Sequence, residues 1–318
     1  MEHFPYVAMD TEFPGVVAKP TVPLATQREY QYMKLKHNVD CLFLIQIGLT
    51  LCDSSGQLPI IDGKYSVWQF NFKEFHPESD APRNDESIDM LEESGIDFDA
   101  NASYGVDVSR FAELLTISGI VLNEEVCWLT FHSGYDFGYL LKVLIGQRLP
   151  DKEEDFFPLI DLYFPNIYDI KYVVKFVDEL HGGLSKLAEL LDVERHGSKH
   201  QAGSDSLLTA NTFFELQNRY FGRDTVLGPI TPYKGVLFGL GKDGDFINQH
   251  TRPNASQSTP QQANSNNRNQ QQLMQPCGNG SPSYADIMPP EAALNTPPTP
   301  APWMARTMAP PDPPEPGG

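Results

Sequence analysis

Two carboxylates, Asp10 and Glu12, close an apolar run in Tyr6-Val7-Ala8-Met9-Asp10-Thr11-Glu12-Phe13. Alternate side chains of a strand share a face, so the pair projects from one side, close enough to share a divalent cation. At the end of an apolar strand the two would repel each other unless a cation compensated them. The same spacing at Asp151/Glu153 and Asp192/Glu194 falls in polar or helix-ending segments and shows how readily an acidic chain produces it. A third carboxylate, Asp136, lies in Phe131-His132-Ser133-Gly134-Tyr135-Asp136-Phe137, where an apolar strand gives way to a helix. Read alone, it is a helix N-cap. A fourth, Asp205, closes His200-Gln201-Ala202-Gly203-Ser204-Asp205 at the opening of another helix, where the helix dipole alone favours an acid. His200 alone reads as a surface residue. Independent caps are not expected to supply a strand Asp-x-Glu, then Asp, then His-x4-Asp in that order.

The elements that would position these groups are legible as apolar strands alternating with amphipathic helices. Strands are expected at 6–11, 42–51, 66–72, 126–131 and 167–172, all dense in β-branched and aromatic residues. Helices are expected at 86–94, 108–118, 137–145, 184–191 and 206–220, the first three each stopped by the glycine that follows. The stretch 73–105 is acidic and reads as loop around one helix. With no repeat of fixed period, residues 1–241 form one α/β domain. Beyond Gly241 the chain turns to Gln, Asn, Ser and Pro, with Gln270-Gln271-Gln272 and a proline-dense end. Such a segment buries too little apolar surface to offset its ordering entropy, so 242–318 is expected to be a disordered tail.

A chain of 318 residues with 40% apolar content has enough material for a packed core. Its net charge of −19 opposes generic nucleic-acid binding, so any contact with RNA has to be local and metal-assisted. Nothing approaches the roughly 18–20 apolar residues of a membrane span, and the start lacks the pattern of a secretory signal. The expectation is an intracellular protein without a membrane partner. Cys41, Cys52, Cys127 and Cys277 have neither the spacing of a zinc module nor that of a disulfide scaffold. Asn-x-Ser triplets at Asn101, Asn254 and Asn279 carry no weight without a secretory route. Gly239-Leu240-Gly241-Lys242 fails the spacing of a phosphate loop, and Asp243 follows where Ser or Thr is required.

The ordered set Asp10, Glu12, Asp136, His200 and Asp205 resembles the Asp-Glu-Asp-Asp-His exonucleases, and the strings 6–17, 131–140, 167–172 and 201–209 resemble more closely the Caf/Pop-type deadenylases, nuclease subunits of the Not deadenylase complex. The resemblance covers residues 4–241. It implies a ribonuclease H-like mixed sheet flanked by helices. It also implies a poly(A)-specific 3′-to-5′ exoribonuclease that releases 5′-AMP in cytoplasm and nucleus. Asp10, Glu12, Asp136 and Asp205 would hold two divalent ions, Asp10 bridging them, with magnesium expected and manganese the alternative. His200 would take the proton of the attacking water. Four carboxylates repel RNA until metal fills the site, so substrate binding should depend on metal. Phe13 would stack on a terminal base, and His132 lies near Asp136; both read equally as core or scaffold residues. Partners implied are the mRNA poly(A) tail and the scaffold and second nuclease subunits of the Not complex. Members of this family usually carry a helical segment before the metal-binding strand, whereas this chain begins almost at it, which bears on stability and docking more than on chemistry. Two rival readings keep the fold: a docking subunit that no longer cuts, and a related exonuclease acting on other RNA or DNA ends.

Overall fold

The computed structural model describes residues 3–21, 24–222, 227–241, 243 and the backbone of 306–308. In chain order the elements are β1 (Tyr6–Glu12), α1 (Gln27–Cys41), β2 (Gln46–Cys52), β3 (Ile60–Ile61), β4 (Lys64–Asn71), α2 (Asp85–Glu93), α3 (Phe98–Tyr104) and α4 (Val108–Ile117). There follow β5 (Cys127–Thr130), α5 (Gly134–Ile145), α6 (Glu153–Tyr163), β6 (Ile167–Asp169), α7 (Ile170–Val173), α8 (Leu184–Leu190), α9 (Ala202–Tyr220) and β7 (Arg306–Met308). Six strands run in the order β3-β4-β2-β1-β5-β6, and β7 pairs with β4 off that path. β2 and β4 are antiparallel to their neighbours, while β5 and β6 run parallel to β1. The parallel half needs crossover helices, which α5 and α6 supply. This is the mixed sheet of a ribonuclease H-like exonuclease fold, as expected.

β1 lies inside the sheet, and its alternation sorts the core into two layers. Val7 and Met9 pack with Leu35 and Val39 of α1 and Phe137 and Leu140 of α5. Ala8 packs with Leu129, Ile170, Ala210 and Phe213 on the other face, which α9 covers. Gly48 of β2 stands opposite Asp10 in the register. A Cβ there would lie 1.9 Å from the carbonyl oxygen of Ala202, so only glycine lets the start of α9 settle onto the sheet.

Several expected elements differ in extent. α5 starts at Gly134 rather than 137, and α9 at Ala202 rather than 206, so both acids fall inside first turns. The expected strand 42–51 begins at Gln46, because Leu42 ends α1 with its N–H on Asn38 O. The strand expected to run to 172 stops at Asp169, whose carboxylate accepts the N–H of Lys171 and starts α7. The expected loop around one helix at 73–105 contains a second, α3. α1 and α6 were not expected at all.

Most of the expected disordered tail lies outside the described residues. Of those that are described, Arg306–Met308 pair antiparallel with Tyr65–Val67. Asp243 is fully buried, pairs with Lys175 and accepts the Gly239 N–H at 2.8 Å.

Candidate active site

Asp10 and Glu12 follow Ala8 on the α9 face of β1, whereas Thr11 follows Met9 on the opposite face. The Thr11 hydroxyl donates to Asp136 Oδ1 at 2.6 Å, which ties the first turn of α5 to the end of β1. Asp136 is not the N-cap of α5: Ser133 occupies that position, and the Asp136 carboxylate is buried beside the strand. Asp205, in the first turn of α9, accepts the backbone N–H of His200 at 2.8 Å and pairs with Arg195 at 2.7 Å.

Glu12, His200 and Asp205 each offer a ligating atom within 4.8 Å of the others. That trio does not include Asp10 or Asp136, which reach it electrostatically. Burial, then Asp136, Glu12 and Asp205, hold the Asp10 carboxyl well above the usual range, and Arg195 offsets part of this. Burial with Asp205 and Asp136 pushes Glu12 up to about 8. Burial pushes Asp136 to about 6 even though the Thr11 hydroxyl favours its charged form. Four carboxylates thus converge, with the negative forms of Asp10, Glu12 and Asp136 disfavoured, and the Arg195 guanidinium beside them is engaged with Asp205 and the hydroxyls of Ser185 and Ser204. Hard oxygen donors in this condition fit a divalent cation, which would replace the missing positive charge.

The ring of His200 is exposed, and its backbone is held at φ 59°, unusual for a residue other than glycine. Its N–H on Asp205 and its carbonyl, which accepts the Ser94 hydroxyl at 2.9 Å, fix that conformation from both sides. The start of α9 has no side-chain cap of its own. Instead Gln46 of β2 accepts the Ala202 N–H at 3.2 Å, and Gln69 of β4 accepts the Gly203 N–H at 2.9 Å. Two donors that a helix start leaves without intrahelical partners are therefore satisfied by the sheet, which fixes where Asp205 stands.

On the other side, Asp169 is completely buried and accepts four backbone N–H groups: His132 at 2.8 Å, Lys171 at 3.0 Å, Phe238 at 3.0 Å and Ser133 at 3.2 Å. It clamps the turn between β5 and α5, in which His132 sits at φ 60°. Phe13 stacks on Tyr135 at 5.3 Å and 22° and meets Tyr139 at 4.9 Å. The exposed His132 ring stands edge-on to Phe238 at 5.0 Å. Thr11, Gln46, Gln69, Asp169 and Arg195 carry no signal in the sequence, except that Thr11 and Asp169 fall within family-like strings.

A profile of the CAF1 family ribonucleases matches residues 1–114 and 115–213. The chain belongs to the CAF1 family. Among its relatives is the probable CCR4-associated factor 1 homolog 7 of Arabidopsis thaliana, 57% identical over 249 residues, which are 78% of this chain and 88% of that one. Another is the poly(A) ribonuclease pop2 of Schizosaccharomyces pombe, 47% identical over 250 residues, 78% of this chain and 71% of the other. The solved Mg2+- and Mn2+-bound form of that Pop2 protein superposes with a TM-score of 0.69 over 74% of this chain and 90% of its own. A yeast CAF1, solved with the NOT1 MIF4G domain, is 33% identical with a TM-score of 0.61 over 74% and 88% of the two chains. In this CAF1 family ribonuclease Asp10, Glu12, Asp136 and Asp205 form one electrostatic cluster, with His200 beside Glu12 and Asp205.

Proposed function

We propose that this ribonuclease removes adenosines one at a time from the 3′ ends of mRNA poly(A) tails, releasing 5′-AMP, as the nuclease subunit of a Not deadenylase complex in cytoplasm and nucleus. The observation that carries this reading is the convergence of Asp10, Glu12, Asp136 and Asp205, from β1, α5 and α9, in a state that calls for cations. These carboxylates would hold two divalent ions, magnesium or manganese, as the metal-bound Pop2 relative suggests. Bound there, the ions neutralise charge on the scissile phosphate and on the attacking and leaving oxygens. His200, exposed beside Glu12 and Asp205, accepts the proton of the attacking water, whose oxygen displaces the 3′-oxygen of the preceding nucleotide. Arg195, paired with Asp205 at 2.7 Å, holds that carboxylate in place. Preference for adenosine rests on the Pop2 relative, named a poly(A) ribonuclease.

Association with the scaffold is supported by the yeast CAF1 solved with a NOT1 domain. In addition, α4 and its flanks leave Tyr104, Leu114, Ile117 and Leu122 exposed, an apolar face of the kind a subunit interface covers.

The test is a 5′-labelled RNA ending in adenosines, incubated with the protein and magnesium beside Asp10→Ala, beside the same RNA ending in another base, and beside its DNA counterpart. A magnesium-dependent ladder confined to the adenosine tail and absent in the variant is the expected result. Equal shortening of DNA would move the reading to a general exonuclease. Intact RNA with wild-type protein, with metal binding verified, would move it to a docking subunit.

A further inference from the structure

Next to the carboxylates lies a cavity of about 260 Å3 that the proposed chemistry does not use. Its walls include Lys34 of α1, His132, Tyr135, Phe238 and Leu240. Tyr135 immediately precedes Asp136 in the first turn of α5 and stacks on Phe13, so the cavity opens beside the turn that carries that carboxylate. A second ring pair in its wall, His132 against Phe238, stands among cations. Lys171 lies 5.8 Å, and Lys175 5.6 Å, from the centre of the Phe238 ring. Lys171 also lies 5.6 Å from the ring of Phe131.

Lys34 in the lining and Lys171 and Lys175 beside its Phe238 wall are a group of cations in a chain of net charge −19. Lys175 is neutralised by the buried Asp243. Lys171 donates to the Gly182 carbonyl, and neither it nor Lys34 has an ion-pair partner among the described residues. The buried Asp169 beneath the cavity spends both its oxygens on backbone N–H groups. Half-exposed rings beside unneutralised lysines are the combination that binds single-stranded nucleic acid, the rings by stacking bases and the ammonium groups by meeting phosphates. A protein partner would be served as well by cations alone; the rings in the wall, beside the α5 turn that carries Asp136, are what favour RNA.

We infer that the Lys34–His132–Phe238 cavity is a subsite for the nucleotides that precede the scissile bond, taking one or two bases on its rings and their phosphates on Lys34 and Lys171. The inference rests on the exoribonuclease reading, since it assigns the path of that substrate. It also accounts for how so acidic a protein would hold RNA beyond the metal-neutralised phosphate.

Steady-state cleavage by the full chain with magnesium tests it, comparing a long oligoadenylate with the dinucleotide ApA, which is too short to enter the cavity. Wild type should prefer the long substrate, through KM rather than kcat. Phe238→Leu, which keeps an apolar side chain without a ring face, should lower that preference by at least about fivefold. Lys34→Gln should lower it too, and should flatten the dependence of log KM on log salt by about 0.7, the amount of one lost phosphate contact on a single strand. Thermal melting separates these effects from misfolding, and Lys34→Gln alters an ammonium on the helix surface if Phe238→Leu fails to fold. Active wild type with no preference for length, or variants with wild-type preference and salt slope, would overturn the subsite while the exoribonuclease reading stands. A wild type that cleaves neither substrate overturns that reading, and this one with it.

Discussion

With its carboxyl held near a pKa of about 8 by burial and by the neighbouring Asp205 and Asp136, Glu12 carries a proton at neutral pH until a cation takes the proton's place. Asp136, near 6, behaves likewise in a lower window. Metal binding should therefore release protons, and magnesium affinity should climb as pH rises from about 6 to about 8. Titration calorimetry in buffers of different ionisation enthalpy reads both effects. The metal-free protein should show the converse in its stability. Folded pKa values above the ordinary 4.5 of Glu12 and 3.8 of Asp136 mean that the folded state binds more protons than the unfolded one. That stabilisation is complete below about pH 4 and is lost as pH rises through about 6 and then about 8. Melting scans with chelator should show this decline, and saturating magnesium should remove it. At the same scale, His200→Ala should lower kcat by about 10²–10⁴-fold, the usual loss for a positioned general base, with little change in melting temperature because the ring is exposed.

The same residues look different when judged by the elements that hold them. Asp205 reaches the cluster only because α9 rests on Gly48 and borrows Gln46 and Gln69 as acceptors. Gly48→Ala forces a Cβ into the Ala202 carbonyl, and overpacking of this kind costs about 1–3 kcal/mol. Activity should fall much further than stability, because the displacement falls at the turn carrying Asp205; parallel denaturant melts and deadenylation rates check this. Asp169→Asn should also act at a distance. It keeps the shape but points an amide donor at N–H groups that need an acceptor, at a cost of about 1–3 kcal/mol per unsatisfied group. Faster amide exchange at His132 and Ser133 is the expected signature. The sequence marks β1 well because its apolar run ends at an acidic pair spaced to share one face of the strand. It hides α1 because the buried face of that helix carries Lys36 and Asn38, which fold inward to bond backbone. Asn38 accepts the N–H groups of Val17 and Ala18, and Lys36 donates to Leu149 O, so polar residues sit where an amphipathic reading wants apolar ones. α6 is masked by Pro158 inside it. The cap alternative for Asp136 survives in the sequence because a one-turn shift in helix start decides it, and helix starts are set here by tertiary acceptors.

For the molecule as a whole, the exposed apolar side chains of α4 are not among the groups that act on the acidic cluster, so cutting and docking can be probed by different substitutions. Ile117, 80% exposed, has little part in the core. Ile117→Arg should abolish co-purification with a Not scaffold while leaving deadenylation by the isolated protein within about twofold, since surface substitutions away from packed features change stability by only about 0.5 kcal/mol. Loss of both properties together would show that α4 supports the site.

β1 and α9 stand near opposite ends of the described domain, yet they contribute three of the four carboxylates. While such a chain is being synthesised, its first strand leaves the ribosome long before the last helix exists. Asp10 and Glu12 can meet Asp205 only after the Gly48 platform has received α9. A nascent copy is thus chemically inert until its last long helix has emerged and docked.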